Sequence, residues 1–274
     1  YVLQNTPLKW NIDANISFNR NRIGGLKADQ FAQKLWSSAD EVFIQRNGCP
    51  IGAIYGYVED GFYDNLAEVM ASPSADIRAK GAGMIGEIKY RNFDDNPDIT
   101  SADRVIIGDT NPDFVYGLTS NFEWKGVTLS FFLQGSQGND IFNGNLMDMK
   151  MGNVGNITRE AYNTRWTEAN AAQAKWPKAV SGYERNMLIS NRYVEDGSYL
   201  KLKSLNIGYV WKPNFKGISN VNVYASVTNL FTITGYSWFD PEVNAFGSDA
   251  SRRGVDVYSY PSSRTFSLGI KVDF

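Results

Sequence analysis

Strict alternation of apolar and polar residues runs through long stretches of this chain. Over 8–20, Leu8, Trp10, Ile12, Ala14, Ile16 and Phe18 take one face, and Lys9, Asn11, Asp13, Asn15, Ser17 and Asn19 take the other. Neighbouring side chains in a strand point to opposite faces, so a period of two marks an extended segment with one apolar side. The device recurs over 113–125, where Tyr116, Leu118, Phe122 and Trp124 oppose Thr119, Asn121 and Glu123. Over 127–139, Val127, Leu129, Phe131 and Leu133 oppose Thr128, Ser130 and Gln134. Lys125-Gly126 between these two segments predicts a hairpin turn. Further strands are predicted over 199–211, 218–230 and 263–274, the last with Phe266, Leu268, Ile270, Val272 and Phe274 in a row. Around Leu200 and Leu202 the apolar phase slips by one residue, which predicts a bulge or a strand end that has left a bilayer.

These segments exceed the usual strand of about 5 or 6 residues. Their connections alternate in length: 125–126 and 212–217 are short, whereas 21–112, 140–198 and 231–262 are long. Outer-membrane barrels place short turns on the periplasmic side and long loops outside, so the pattern assigns a direction. Segments 8–20, 127–139 and 218–230 run outward and the other three run inward. Trp10, Trp124, Trp211 and Phe274 then gather at periplasmic ends, the level at which an aromatic girdle sits, although they played no part in setting the direction.

The expected fold class is therefore all-β, a portion of an antiparallel transmembrane β-barrel with long extracellular loops carrying short helices near 62–72 and 157–174. It comprises about six strands, or about eight if part of 40–93 also spans. A soluble β-sandwich with its aromatics turned inward also accounts for the alternation. It does not account for the length of the strands or the alternation of the loops.

Composition narrows the functions. No apolar run approaches the roughly 20 residues of a membrane helix. Lys and Arg total 27 against 29 Asp and Glu, so there is no basic field for nucleic acid. The absence of His removes the Ser-His-Asp and Cys-His arrangements and His-ligated zinc. Cys49, the single cysteine, sits in a Gly-Cys-Pro turn and has no partner for an internal disulfide. The chain opens on Tyr1 in mid-pattern without an initiator Met or signal peptide, so a processed start or a part of a longer chain is expected.

Several phrases resemble a known family. YGYVEDGFY at 55–63, PDFVYGLTSNFEWKGVTLSFFLQGSQGNDIFN at 112–143, NRYVEDGSYLKLKSLNIGY at 191–209, TNLFTITGYSWFDPEV at 228–243 and YPSSRTFSLGIKVDF at 260–274 are similar to the C-terminal part of SusC/RagA-type TonB-linked outer-membrane proteins. The resemblance implies a plugged barrel of about 22 strands in the bacterial outer membrane. It implies import of an oligosaccharide or peptide, a SusD-like surface lipoprotein as partner, and energy from TonB. Residues 1–274 would be the C-terminal portion, with the plug and the remaining strands preceding Tyr1. No catalysis is implied. A passive porin-like channel, lacking plug and TonB, is the alternative, and a soluble carbohydrate-binding β-protein is a third.

Candidate sites follow from the same comparison. Relatives carry a loop resembling the calcium-binding spacing, in which oxygens at positions 1, 3, 5 and 12 surround the ion. Here those positions are Asn92, Asp94, Asn96 and Asp103. Pro97 replaces the turn Gly, Asn92 stands for an Asp, and Asp103 is shorter than a bidentate Glu, so a Ca2+ site and a plain polar turn both stand, with the turn favoured. Trp166, Trp176 and Trp238 are the loop aromatics able to grip a substrate, if they are not packed within their own loops. Glu195, Asp196, Asp240 and Glu242 read as acceptors that fix loops rather than a hydrolytic pair. Asn121, Glu123, Gln134 and Asn206 line the wet interior. Phe274, an aromatic on the last alternating strand, resembles the outer-membrane assembly signal.

Overall fold

Six long strands form one antiparallel sheet in a computed structural model that describes residues 2–31, 41–147, 156–180, 184–214 and 217–274. They are β1 (Leu8–Ser17), β2 (Phe114–Trp124), β3 (Val127–Gln137), β4 (Tyr199–Trp211), β5 (Asn220–Thr234) and β6 (Thr265–Asp273). Each pairs with its neighbour in sequence, so the sheet is a plain meander whose first and last strands do not meet. Their lengths of 9 to 15 residues suit a tilted crossing of hydrocarbon.

The register carries the alternation across the whole sheet. Trp10 faces Phe122, Phe122 faces Leu129, Leu129 faces Ile207, Ile207 faces Ala225 and Ala225 faces Leu268. One position along, Asn11, Asn121, Ser130, Asn206, Ser226 and Ser267 form the matching polar row. The apolar face is bare: Ile207 is 52% exposed, Ile270 68% and Leu268 80%. A soluble sandwich buries that face against a second sheet, and here none of the described residues forms such a cover. Trp124, Tyr209, Trp211 and Phe274 are exposed at the end of the sheet where the short turns lie.

Turn and bulge chemistry fix this register. Lys125 and Gly126 have φ of 50° and 87°, the left-handed pair that a two-residue hairpin requires. Within β4, Leu202 pairs with Leu133 and Ser204 with Phe132, which leaves Lys203 with no residue opposite it on β3. The extra residue is a bulge, and it returns Leu202 to the apolar row. On the other side β5 also shifts, with Phe231 opposite Leu202 and Thr228 opposite Ser204. β5 consequently runs on to Thr234, beyond the expected end at 230, because the shift breaks the apparent periodicity.

The long connections form a packed body of their own. Phe43–Gln45, Ala53–Gly56 and Val105–Asp109 belong to a four-stranded sheet, and Asp140–Asn143, Val194–Asp196 and Val255–Asp256 to a three-stranded one. Glu59–Phe62 pairs with Ile88–Tyr90. The strands within 41–93 have 3 or 4 residues and pair only inside this body, so that region adds no membrane strand and the wall has six. Phe43, Ile54, Tyr57, Ile88, Phe142, Ile189, Tyr193 and Val255 make its main core. No residue of the three buried apolar clusters comes from the six wall strands.

Short helices decorate the body. α1 (Leu66–Ala71) is capped by Asn65, whose side chain accepts from Glu68 N, and α2 (Ala75–Lys80) is capped by Ser74. The helix expected over 157–174 is reduced to α3 (Arg159–Thr164) and a separate turn at Ala171–Gln173. Trp166 leaves helical geometry to pack inward, and Asn170 holds the turn by accepting from Thr167 N and donating to Arg165 O. Propensity yields here to burial of a large aromatic side chain.

Candidate functional site

The wall meets the loop body through a charged cluster on the polar face. Lys201 and Lys203, two residues apart on β4, reach toward the same place, where Asp240 and Glu242 descend from the last long loop. Lys201 Nζ donates to Asp240 Oδ1 at 2.9 Å and to Glu242 Oε2 at 2.5 Å, and Lys203 Nζ lies 2.7 Å from the same Glu242 oxygen. The Lys201 side chain is 1% exposed. Burial pushes both carboxyls up, but the hydrogen bonds from Lys201, joined at Glu242 by those from Lys203, outweigh it and hold both below the usual carboxylate range. A pair so enclosed is worth little against an apolar filling, yet costly to break from one side. Its role is to fix the loop.

At the outer ends of β4 and β5 lies a cleft of about 440 Å³, lined by Glu59, Trp176, Lys175, Arg192, Glu195 and Ser237 among others. Arg192 is fully engaged: Nε donates to Glu59 Oε1 at 3.0 Å, Nη2 to Glu59 Oε2, Nη1 to the Lys175 carbonyl, and its plane sits 5.2 Å from the Trp176 ring centre. Ser190 Oγ also donates to Glu59, at 2.6 Å. Glu195 accepts from Asn143 Nδ2 at 2.8 Å and from Ser237 N and Oγ at 2.9 Å. The cleft therefore has a firm floor and a rim of polar groups, at the mouth of the wall.

No family model matches the chain. Curated relatives do. TonB-dependent receptor P3 of Formosa agariphila is 34% identical over 99% of this chain and 27% of its own length. TonB-dependent receptor SusC of Bacteroides thetaiotaomicron is 27% identical over 97% of this chain and 24% of its own length. This chain is a SusC/RagA-type sequence. It spans about a quarter of the length of the curated relatives it matches. In fold it is similar to the RagAB peptide importer in the open-open state, with a TM-score of 0.71 at 20% identity, covering 99% of this chain and 27% of that one. Its place is the bacterial outer membrane, as part of a β-barrel.

The curated relatives carry the name of receptors, and Glu195, Asp196, Asp240 and Glu242 are already engaged by groups of this chain. All four are spent on loop geometry, Asp196 by accepting from Ser198 N at 2.8 Å. Trp166 and Trp176 are 7% and 8% exposed: Trp166 Nε1 donates to Asp64 at 2.8 Å, and Trp176 lies against Arg192, with only a small part of it left to line the cleft. Trp238 is half-buried beside Phe239 at 5.2 Å. The structure does not bring the three together as a binding surface.

The 92–103 loop is a series of self-bonded turns. Asn92 Oδ1 accepts from Asp94 N at 3.1 Å, Asp94 Oδ1 from Asn96 N at 2.8 Å, and Asn96 Oδ1 from Asp98 N at 3.0 Å. Asp103, fully buried, accepts from Phe93 N at 2.7 Å through one oxygen and from Thr100 N at 2.8 Å through the other. Among the described residues no group of three or more His, Cys, Asp or Glu converges as a cation needs. Asp103 is the clasp of a polar turn.

The lysines of the charged cluster and the Glu59–Arg192 pair were not singled out from the sequence. Lys203 was the accessible clue, since it stands where the apolar phase slips. Asn121, Asn206 and Gln134 do lie on the polar face, and Glu123 meets Lys9 there at 3.1 Å. Phe274 is 91% exposed beyond the end of β6.

Proposed function

We propose that this chain forms six strands of the wall, and much of the outer mouth, of an outer-membrane importer that takes up an oligosaccharide or peptide nutrient. The supporting observation is the division of one sheet into a bare apolar face and a polar face, with a packed loop body at one end only. Such a sheet is at home in a bilayer, and its polar side borders a wet passage. The rows end at open edges, so a larger barrel completes the wall. By analogy with the relatives, a plug and a TonB-contacting segment elsewhere in the protein drive transport, and a SusD-like lipoprotein closes over the mouth.

Uptake of labelled oligosaccharides and peptides by cells producing the full-length receptor tests this reading. Import is expected to stop when the protonmotive force is collapsed or the TonB-contacting segment is deleted. Uptake that continues in both cases identifies a passive channel instead. Co-purification of the lipoprotein in detergent tests the partnership.

A further inference from the structure

The turn leading into the strand Ile88–Tyr90 buries a carboxyl group that is only loosely held, with Lys178 as its nearest cation. Glu87 is fully buried, and among the described residues neither of its carboxyl oxygens meets a donor in good hydrogen-bond geometry. Lys178 Nζ is 3.5 Å from Oε1, beyond a good hydrogen bond, and donates instead to the Gly83 carbonyl. Arg185 donates through Nη2 to the Ile88 carbonyl at 3.2 Å, lies over the Tyr90 ring, and leaves its own buried Nε without a partner. Asn186 spends its side-chain oxygen on Ile88 N. The other charges nearby are engaged elsewhere, Lys89 with Glu68 at 3.0 Å and Asp64 with the Trp166 indole.

Position gives the group its interest. Gly86 N donates to the Tyr63 carbonyl at 2.7 Å, Lys178 N donates to the Gly86 carbonyl at 2.9 Å, and a Cβ on Gly86 would meet the Trp166 ring at 2.6 Å. Glu87 therefore sits on the seam where the first long loop packs against the second. An ionised carboxylate there surrenders its hydration for one distant ammonium, whereas a neutral carboxyl surrenders far less.

We propose that Glu87 is a proton-operated clasp between the two loops, closing the seam when it carries its proton and loosening it when the proton leaves. Burial raises the carboxyl above its usual range, against the opposing pull of Lys178, Asn186 and Arg185. For an acid raised on folding, the linked stability is complete below the unfolded value and is lost as pH climbs through the folded one. The seam thus tightens in an acid medium and loosens as pH rises.

Hydrogen exchange at amides 84–90 and 176–179 of the full-length receptor, corrected for the intrinsic pH dependence of exchange, reads the seam directly. Each pH unit by which the folded carboxyl exceeds its unfolded value is worth about tenfold in the opening equilibrium. Wild-type opening is expected to increase as pH is raised from about 5 to about 8. Glu87→Gln, neutral at every pH, is expected to remain as closed at both values as the wild type is in acid. A wild-type seam equally protected at both values overturns the proposal. So does a Glu87→Gln seam already open in acid, because an ionised pair with Lys178 would then have been the fastening.

Discussion

Lys201 stands on the wall and closes on Asp240 of the last long loop at 2.9 Å, with almost none of its side chain reaching solvent. Removing Lys201 strands the half-buried Asp240 carboxylate, whereas removing Asp240 leaves Lys201 with Glu242 as its one remaining carboxylate. Lys201→Met is expected to loosen residues 235–264 by about 3–5 kcal/mol, as is Asp240→Asn at the lower end of that range. The double variant is expected to recover much of the loss, because no lone charge remains. Hydrogen exchange of the loop in the detergent-solubilised receptor measures all three.

The same cluster has a defined acid response. Asp240 and Glu242 lie below the usual range when folded. Their contribution is therefore present above the unfolded carboxylate value and is lost as pH falls through the lower folded ones. The loop is expected to stay attached at pH 5 and above, and to detach only below about pH 4. Detachment at neutral pH would mean that the ion pairs do not hold it.

Leu268 and Ser267 are neighbours on β6 that face opposite ways, and they make a paired test of which side meets lipid. Leu268→Arg is expected to cost about 2–4 kcal/mol and to reduce outer-membrane assembly. Ser267→Arg, on the polar face, is expected to assemble nearly as the wild type does. Heat-modifiable mobility on gels reports the folded fraction of each.

The hairpin joining β2 to β3 depends on its two left-handed residues. Gly126→Val places a branched side chain at a φ of 87°, with its Cβ 2.7 Å from the Val210 carbonyl oxygen. The conformation alone costs about 1–2 kcal/mol. Lys125→Asn, which suits the left-handed region, is expected to be neutral or mildly stabilising by thermal scan.

Tyr224 covers Gly269 across the pair β5–β6, and a Cβ there would meet the ring at 2.3 Å. Gly269→Ala is expected to displace the ring at a cost of about 1–3 kcal/mol. Adding Tyr224→Ala removes the clash, so the pair should be less damaging than the two single losses added together. A strictly additive double variant in denaturant titration argues against this contact.

Phe274 presents an almost bare aromatic ring just past β6. If it serves in assembly, its deletion from the full-length protein lowers the amount recovered in the outer membrane while leaving synthesis unchanged. Equal recovery removes that role.

The wall was legible because its residues obey a local rule. Alternation needs no partner to be seen, and the segment 199–211 coincides with β4. Errors fell where periodicity was interrupted, as at the β5 shift near Asn229. The loop body was not legible, since strands of 2 to 5 residues have too few positions to show a period. Their pairing also joins distant segments, such as Phe142 with Val255. Lys201 and Asp240 are 39 residues apart, and no local pattern pairs them. The calcium-like spacing of 92–103 was visible, but spacing does not reveal that both oxygens of Asp103 already serve backbone amides.

Because every greasy cluster shielded from solvent is drawn from the loops, the six strands own no interior that water would drive together. They cohere only where hydrocarbon offers their backbone nothing better to bond. In plain buffer the frame should fail first, leaving an island of folded loops on slack tethers. Digestion without amphiphile is then expected to whittle the chain down to that island, while lipid vesicles spare both parts.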